Sequence, residues 1–134
     1  MTEQPSTETV ERETTLPADP GEVWEALTDE DRLGECIGDD VELDPVEGGE
    51  LVVEDEDGER TGTIETVIER ERLTFTWALP GEGETRVDFA IEAVPAGTRL
   101  VVTETQISGP VALAGVRWES RLLRLGRAVL LVAA

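Results

Sequence analysis

Carboxylates and a single thiol are the groups available for proton transfer near neutral pH in this chain of 134 residues. His, Lys and Tyr are absent and Cys36 is the one cysteine. Ser–His and Cys–His nucleophile pairs are therefore excluded, as are zinc sites built from Cys and His. Proton transfer near neutral pH would fall to an Asp or Glu perturbed by burial. Glu104 is the candidate, because Leu100, Val102, Glu104 and Gln106 alternate along one strand face. Val101 and Thr103 form an equally credible inner set, so the face stays open. Arg12 shares the apolar side of an early strand with Val10 and Leu16. Buried beside Arg12, Glu104 would be a structural ion-pair member; buried alone, it would be an acid–base candidate. The simpler reading makes it a polar group at a cavity rim or on the opposite sheet face, and an enzyme is the less favoured class. Cys36 reads as a packed thiol, since buried Cys behaves as a small hydrophobe.

Metal and phosphate motifs fare no better. The run Glu54-Asp55-Glu56-Asp57-Gly58-Glu59 invites a calcium reading. With Gly58 at the loop glycine, however, Val53 and Ile64 fall where carboxylate ligands belong. A solvated hairpin tip explains the run better. Gly81-Glu82-Gly83 is flanked by acids that would repel phosphate. No cofactor and no metal are expected.

Charge narrows the partners. There are 31 acids and 11 bases, and the net charge is -20. Nucleic acid and anionic membrane surfaces need a basic footprint, so neither is an expected partner. Residues 110–134 reverse the trend, with four Arg and one Glu. Arg117, Arg121 and Arg124 lie at three- and four-residue spacing on one helix flank, either as a solvated face complementing the acidic body or as a stripe for a protein partner. The start of the chain is acidic and shows no apolar signal segment, and the run from Ala128 to Ala134 is too short to span a bilayer. A cytoplasmic monomer or homodimer is expected.

The elements that must position these residues can be read from period and punctuation. Residues 1–7 are polar and are expected to be a disordered tail, leaving one domain over 8–134. Val10 to Leu16 alternates as a strand. Asp19-Pro20-Gly21-Glu22 opens a helix that buries Val23, Trp24 and Leu27, with Asp19 as its cap. Thr28-Asp29 caps a second short helix with Leu33, Cys36 and Ile37 inward, and Gly38 stops it. Strands are expected at 41–43, 51–54, 61–69, 72–78, 86–94 and 99–106, joined by tight turns such as Asp57-Gly58. Val111, Ala114, Trp118, Leu122, Leu125, Val129 and Val132 mark a long final helix, whose stripe must be buried on the sheet.

This order resembles the helix-grip, START-like (SRPBCC) superfamily. The words Leu16-Pro17-Ala18-Asp19-Pro20-Gly21-Glu22-Val23-Trp24, Gly48-Gly49-Glu50-Leu51, Leu73-Thr74-Phe75-Thr76-Trp77, Gly97-Thr98-Arg99-Leu100 and Trp118-Glu119-Ser120 are similar to its branch of activator of heat-shock-protein-90 ATPase homologues. The resemblance implies an α+β fold: a curved antiparallel sheet, two short helices, and a long C-terminal helix closed over an apolar cavity. It also implies a wider cavity mouth, because Cys36 stands where the branch often has Trp. Glu stands near position 104 where the branch often has His. The function implied is binding of a hydrophobic or amphipathic small molecule. Trp77, Phe75, Phe89, Trp118, Leu122, Glu104, Arg12 and Cys36 are expected to line the cavity. The alternatives are a chaperone ATPase-activator-like interaction module and a cyclase- or hydratase-type enzyme using Glu104.

Overall fold

The computed structural model describes residues 9–38, 40–108, 118 and 120–126. The expected tail 1–7, Arg117, and the outer parts of the last helix stripe lie outside these residues.

Seven strands form one antiparallel sheet. They are β1 (Thr9–Leu16), β2 (Asp40–Leu43), β3 (Glu50–Asp55), β4 (Gly58–Ile68), β5 (Arg72–Ala78), β6 (Glu84–Val94) and β7 (Gly97–Ser108). Their spatial order is β1-β7-β6-β5-β4-β3-β2. Strands β2 to β7 therefore run as a meander, and β1 joins the free side of β7. Two helices, α1 (Pro20–Thr28) and α2 (Glu30–Ile37), carry the chain from one sheet edge to the other. Asp19 caps α1 through a 2.9 Å bond from the Glu22 amide to its Oδ1. Asp29 caps α2 in the same way, accepting from the Asp31 amide at 2.9 Å. Helix α1 rests on β6 and β7, and α2 on β2 and β3.

Period-two burial assigns the faces. Leu51 and Val53 of β3, Leu73, Phe75 and Trp77 of β5, Val87 and Phe89 of β6, and Leu100 and Val102 of β7 all point inward and are buried. The open question on β7 is thus settled for the Leu100, Val102 and Glu104 set. The β3–β4 turn sits one residue earlier than its Asp-Gly pair indicates: Asp55 pairs with Gly58, leaving Glu56 and Asp57 as the loop. Gly58 opens β4 with φ of 126°, a backbone conformation that favours glycine. Further along β4, Gly62 opposes Trp77, and a Cβ there would lie 1.7 Å from the Thr76 carbonyl oxygen. A bulge between Ile64 and Thr66 follows, of the kind that bends a sheet toward a packing partner.

The C-terminal chain returns as a helix, with residues 118 and 120–126 helical. Trp118, Arg121, Leu122 and Leu125 are buried, whereas Leu123 is 69% exposed. That is the three-to-four spacing of a helix laid on a core. Trp118, Leu122 and Leu125 confirm the sequence stripe where it is described. Arg121 does not belong to an exposed basic flank, because it is turned into the core while Arg124 faces solvent.

Candidate functional site

Three aromatic rings of the inner sheet face and one of the C-terminal helix form a closed circuit. Phe75 meets Trp77 edge-on at 5.2 Å, and Phe89 meets Trp118 edge-on at 5.7 Å. Phe75 and Phe89 are tilted at 5.9 Å, and Trp77 stacks on Trp118 at 6.3 Å. The pairs are worth about 0.5–1.5 kcal/mol each beyond the area they bury. Trp77 is fixed by β5 and Trp118 by the helix, so this stack is where helix and sheet meet.

Glu104 sits at the edges of the two indoles. It is 9% exposed. Its Oε2 accepts from Trp77 Nε1 at 2.9 Å and from Thr85 Oγ1 at 2.6 Å. Its Oε1 accepts from Trp118 Nε1 at 2.7 Å. Side chains of β5, β6 and the helix thus converge on one carboxylate of β7. An indole N–H can only donate, so the carboxylate satisfies two groups that the core would otherwise leave orphaned. Both oxygens already serve as acceptors. Oε2 takes two donors and Oε1 takes one, so all three bonds go to a structural role in joining helix to sheet.

Arginines cover the faces of the same rings. The Arg60 guanidinium lies 5.1 Å from the Trp77 ring centre. That of Arg121 lies 5.4 Å from Trp77 and 4.7 Å from Trp118. Both meet Asp55: Arg60 Nη1 is 2.6 Å and Arg121 Nη2 is 3.7 Å from its Oδ2. The Asp55 and Arg60 side chains are only 13% and 11% exposed. The hairpin tip is solvated as expected at Glu54, Glu56, Asp57 and Glu59; Asp55 is the acid of the run that turns inward, to Arg60, whose guanidinium lies over Trp77.

Trp77, Phe75, Phe89, Trp118, Leu122 and Glu104 come together in this region, all buried. Arg12 stands apart. It lies opposite Val102 on β1, is half-buried, and lines a surface groove with Thr14, Leu122 and Leu123. It gives a 2.8 Å bond to the Glu11 carbonyl, whereas the described donors to Glu104 are Trp77, Thr85 and Trp118. The side chain of Cys36 lies outside the described residues. Between Leu27, Ile37, Phe89, Trp118, Arg121, Leu122 and Leu125 the described residues leave about 170 Å³, none of it wide enough for a water molecule. Among the described residues there is no cluster of three or more Asp, Glu, Cys or His placed to hold a metal ion. No helix among them is long and apolar enough to cross a membrane.

Thr85, Asp55 and Arg60 are the site residues that sequence reasoning missed. A signal existed for two of them. Thr85 continues the Val87–Phe89 alternation, and Asp55 continues that of Leu51 and Val53.

The titration shifts resolved lie on the opposite sheet face. Glu65 is lowered by its hydrogen bond from Arg86, with burial opposing, and Arg86 is raised by the same bond. Arg99 is raised by its hydrogen bond to Glu13.

Comparison with known proteins gives both fold and family. A family model described as Activator of Hsp90 ATPase homolog 1-like protein matches residues 17–125. The structure is similar to that of protein MLL2253 from Mesorhizobium loti, with a TM-score of 0.80, 21% identity, and 91% of this chain and 96% of that one covered. It is also similar to CalU16 from Micromonospora echinospora, with a TM-score of 0.75, 24% identity, and 92% and 85% covered. The Aha1 dimer from Colwellia psychrerythraea matches with a TM-score of 0.75, 19% identity, and 91% and 96% covered. These likenesses confirm the helix-grip α+β arrangement. No curated protein matches the chain in sequence.

Proposed function

The chain belongs to the Activator of Hsp90 ATPase homolog 1-like family, and from that premise we propose that it binds a hydrophobic or amphipathic small molecule between the sheet and the C-terminal helix. The observation that carries this reading is the Glu104 cluster. A carboxylate bound by two indoles and a threonine inside an aromatic core is costly to desolvate, and apolar packing alone would not require it. Departures of this kind concentrate at functional sites. Trp77, Phe75, Phe89, Trp118, Leu122 and Glu104 form the floor and roof of the proposed site. Arg12 borders it at the β1 side, and Cys36 belongs to the helix at its mouth.

The rings are in mutual contact, so ligand entry requires the helix to lift from Trp77. Native mass spectrometry of freshly purified protein tests the reading. We expect a retained non-covalent mass that is lost when Trp118 is replaced by Ala. A protein that takes up no apolar compound, either from the cell or from a mixed library, would overturn it.

A second reading, a protein-interaction module like the family's namesake, is favoured by one feature. Leu123 is 69% exposed beside the exposed Arg124 on the outer helix face. Stimulation of a chaperone ATPase that is lost on Leu123→Asp would support it. Use of Glu104 as an enzymatic acid–base fits the geometry least, because the carboxylate is buried and engaged by three structural donors.

A further inference from the structure

Two arginines from distant parts of the chain converge on one carboxylate oxygen, Oδ2 of Asp55. Arg60 Nη1 approaches to 2.6 Å and Arg121 Nη2 to 3.7 Å. Their side chains are 11% and 9% exposed. Asp57 Oδ2 also stands 3.6 Å from Arg60, but its side chain is 28% exposed at the hairpin tip. Both guanidiniums lie over ring faces of the tryptophan pair, whereas Glu104 meets the same rings at their edges. Planar donor forks beside aromatic walls are the arrangement that recognises an acid group carried on a flat apolar body.

We infer that Asp55 holds the place of a ligand's acid group, and that the molecule taken up beneath the helix is an aromatic or apolar anion received by Arg60 and Arg121. This rests on the small-molecule reading above and names its ligand class. Asp55 suits a stand-in. It is the last residue of β3, paired with Gly58 and adjoining the two-residue loop, and its Oδ1 accepts the Asp57 amide at 2.8 Å. An arriving acid exchanges for Asp55 without leaving the guanidiniums unpaired, so no buried cation is stranded during uptake. At -20 the molecule as a whole repels anions. A preference for an anion must therefore be local, and this cluster is where it would arise.

The test uses a matched pair of fluorescent probes. 1-Anilinonaphthalene-8-sulfonate and N-phenyl-1-naphthylamine share one ring system, and only the first carries a negative group. Asp55→Asn removes the competing charge and keeps an oxygen for the Asp57 amide. We expect it to tighten the sulfonate by about tenfold and to leave the neutral probe within about twofold. Arg121→Met should weaken the sulfonate by about tenfold, again with little change for the neutral probe. Melting curves confirm that each variant is folded, and Asp55→Asn alone suffices if Arg121→Met is not. If Asp55→Asn moves both probes alike, or neither, the inference is overturned while the binding reading stands. If neither probe binds any folded form, the binding reading fails and the inference falls with it.

Discussion

Glu104 and its three donors stabilise the interior only as a complete set. Hydrogen bonds to a charged group contribute about 1.5–3 kcal/mol each, while a donor left unpaired in a core costs about 1–3 kcal/mol. Replacing Glu104 by Gln exchanges one acceptor for an amide N–H₂. One donor of the Trp77, Thr85 and Trp118 set then faces another donor. We expect a loss of about 1–3 kcal/mol in urea unfolding with an unchanged m-value. Trp118→Phe, which keeps an aromatic body and removes the indole N–H, should fall in the same range. Trp118→Ala also empties the ring site and should cost about 3–5 kcal/mol. A Phe variant as damaging as the Ala variant would mean that the hydrogen bond, and not the packing, holds the helix down.

Between elements, the two sheet faces do different work. The inner face packs; the outer face is laced by ion pairs across strands. Arg86 on β6 reaches Glu65 on β4 at 2.6 Å, and Arg72 on β5 meets Asp88 on β6 at 2.8 Å. Thr74 also donates to Asp88 at 2.7 Å. Arg99 on β7 bonds Glu13 on β1, tying the edge strand to its neighbour. The pairs are substantially exposed, so those of Arg86 with Glu65 and Arg72 with Asp88 are each worth no more than about 1 kcal/mol. Their pH dependence has a definite sign. Glu65 is held below its ordinary value by Arg86, so its contribution is present above the unfolded carboxylate value and is lost as pH falls through the lower folded one. Glu65→Gln should lower stability slightly at neutral pH, by less than about 1 kcal/mol, and the difference should vanish in strong acid. A difference that grows toward acid would contradict the assignment.

The same scale explains what was legible in the sequence. Both short helices and all the strands declared themselves through caps, alternation and turn residues. The face of β7 did not, because Val101 and Thr103 suit a strand as well as Leu100 and Val102 do, and only pairing with β6 and β1 separates them. Arg121 was misleading for a related reason. Spacing placed it equally on an arginine flank and on the buried stripe, three residues after Trp118 and four before Leu125. The ring faces that receive its guanidinium come from sequence far away. Asp55 was read with its solvated neighbours because composition does not show that Arg60 and Arg121 turn this one acid inward.

At the scale of the whole molecule, a net charge of -20 on 134 residues opposes compaction. Screening over about 10 Å at 0.1 M salt should relieve this, so the melting temperature should climb as NaCl is added from low ionic strength. A flat or falling curve would show that self-repulsion is a minor term. The cross-strand pairs pull the other way, since salt weakens them, but each is small beside the summed repulsion. The acidic surface and the closed aromatic interior then divide the labour: one keeps the molecule apart from other anions, the other is the place of the proposed ligand site.

The proposed binding between sheet and helix is tested most directly at the indole N–H signals of Trp77 and Trp118, both hydrogen-bonded to Glu104. The measurement is a titration of nitrogen-15-labelled protein with N-phenyl-1-naphthylamine, following the three tryptophan indole resonances assigned by single Phe substitutions. We expect the Trp77 and Trp118 signals to shift together and saturably, and further than that of Trp24. Binding that moves Trp24 alone, or that leaves all three signals in place, would contradict a ligand site between the sheet and the C-terminal helix.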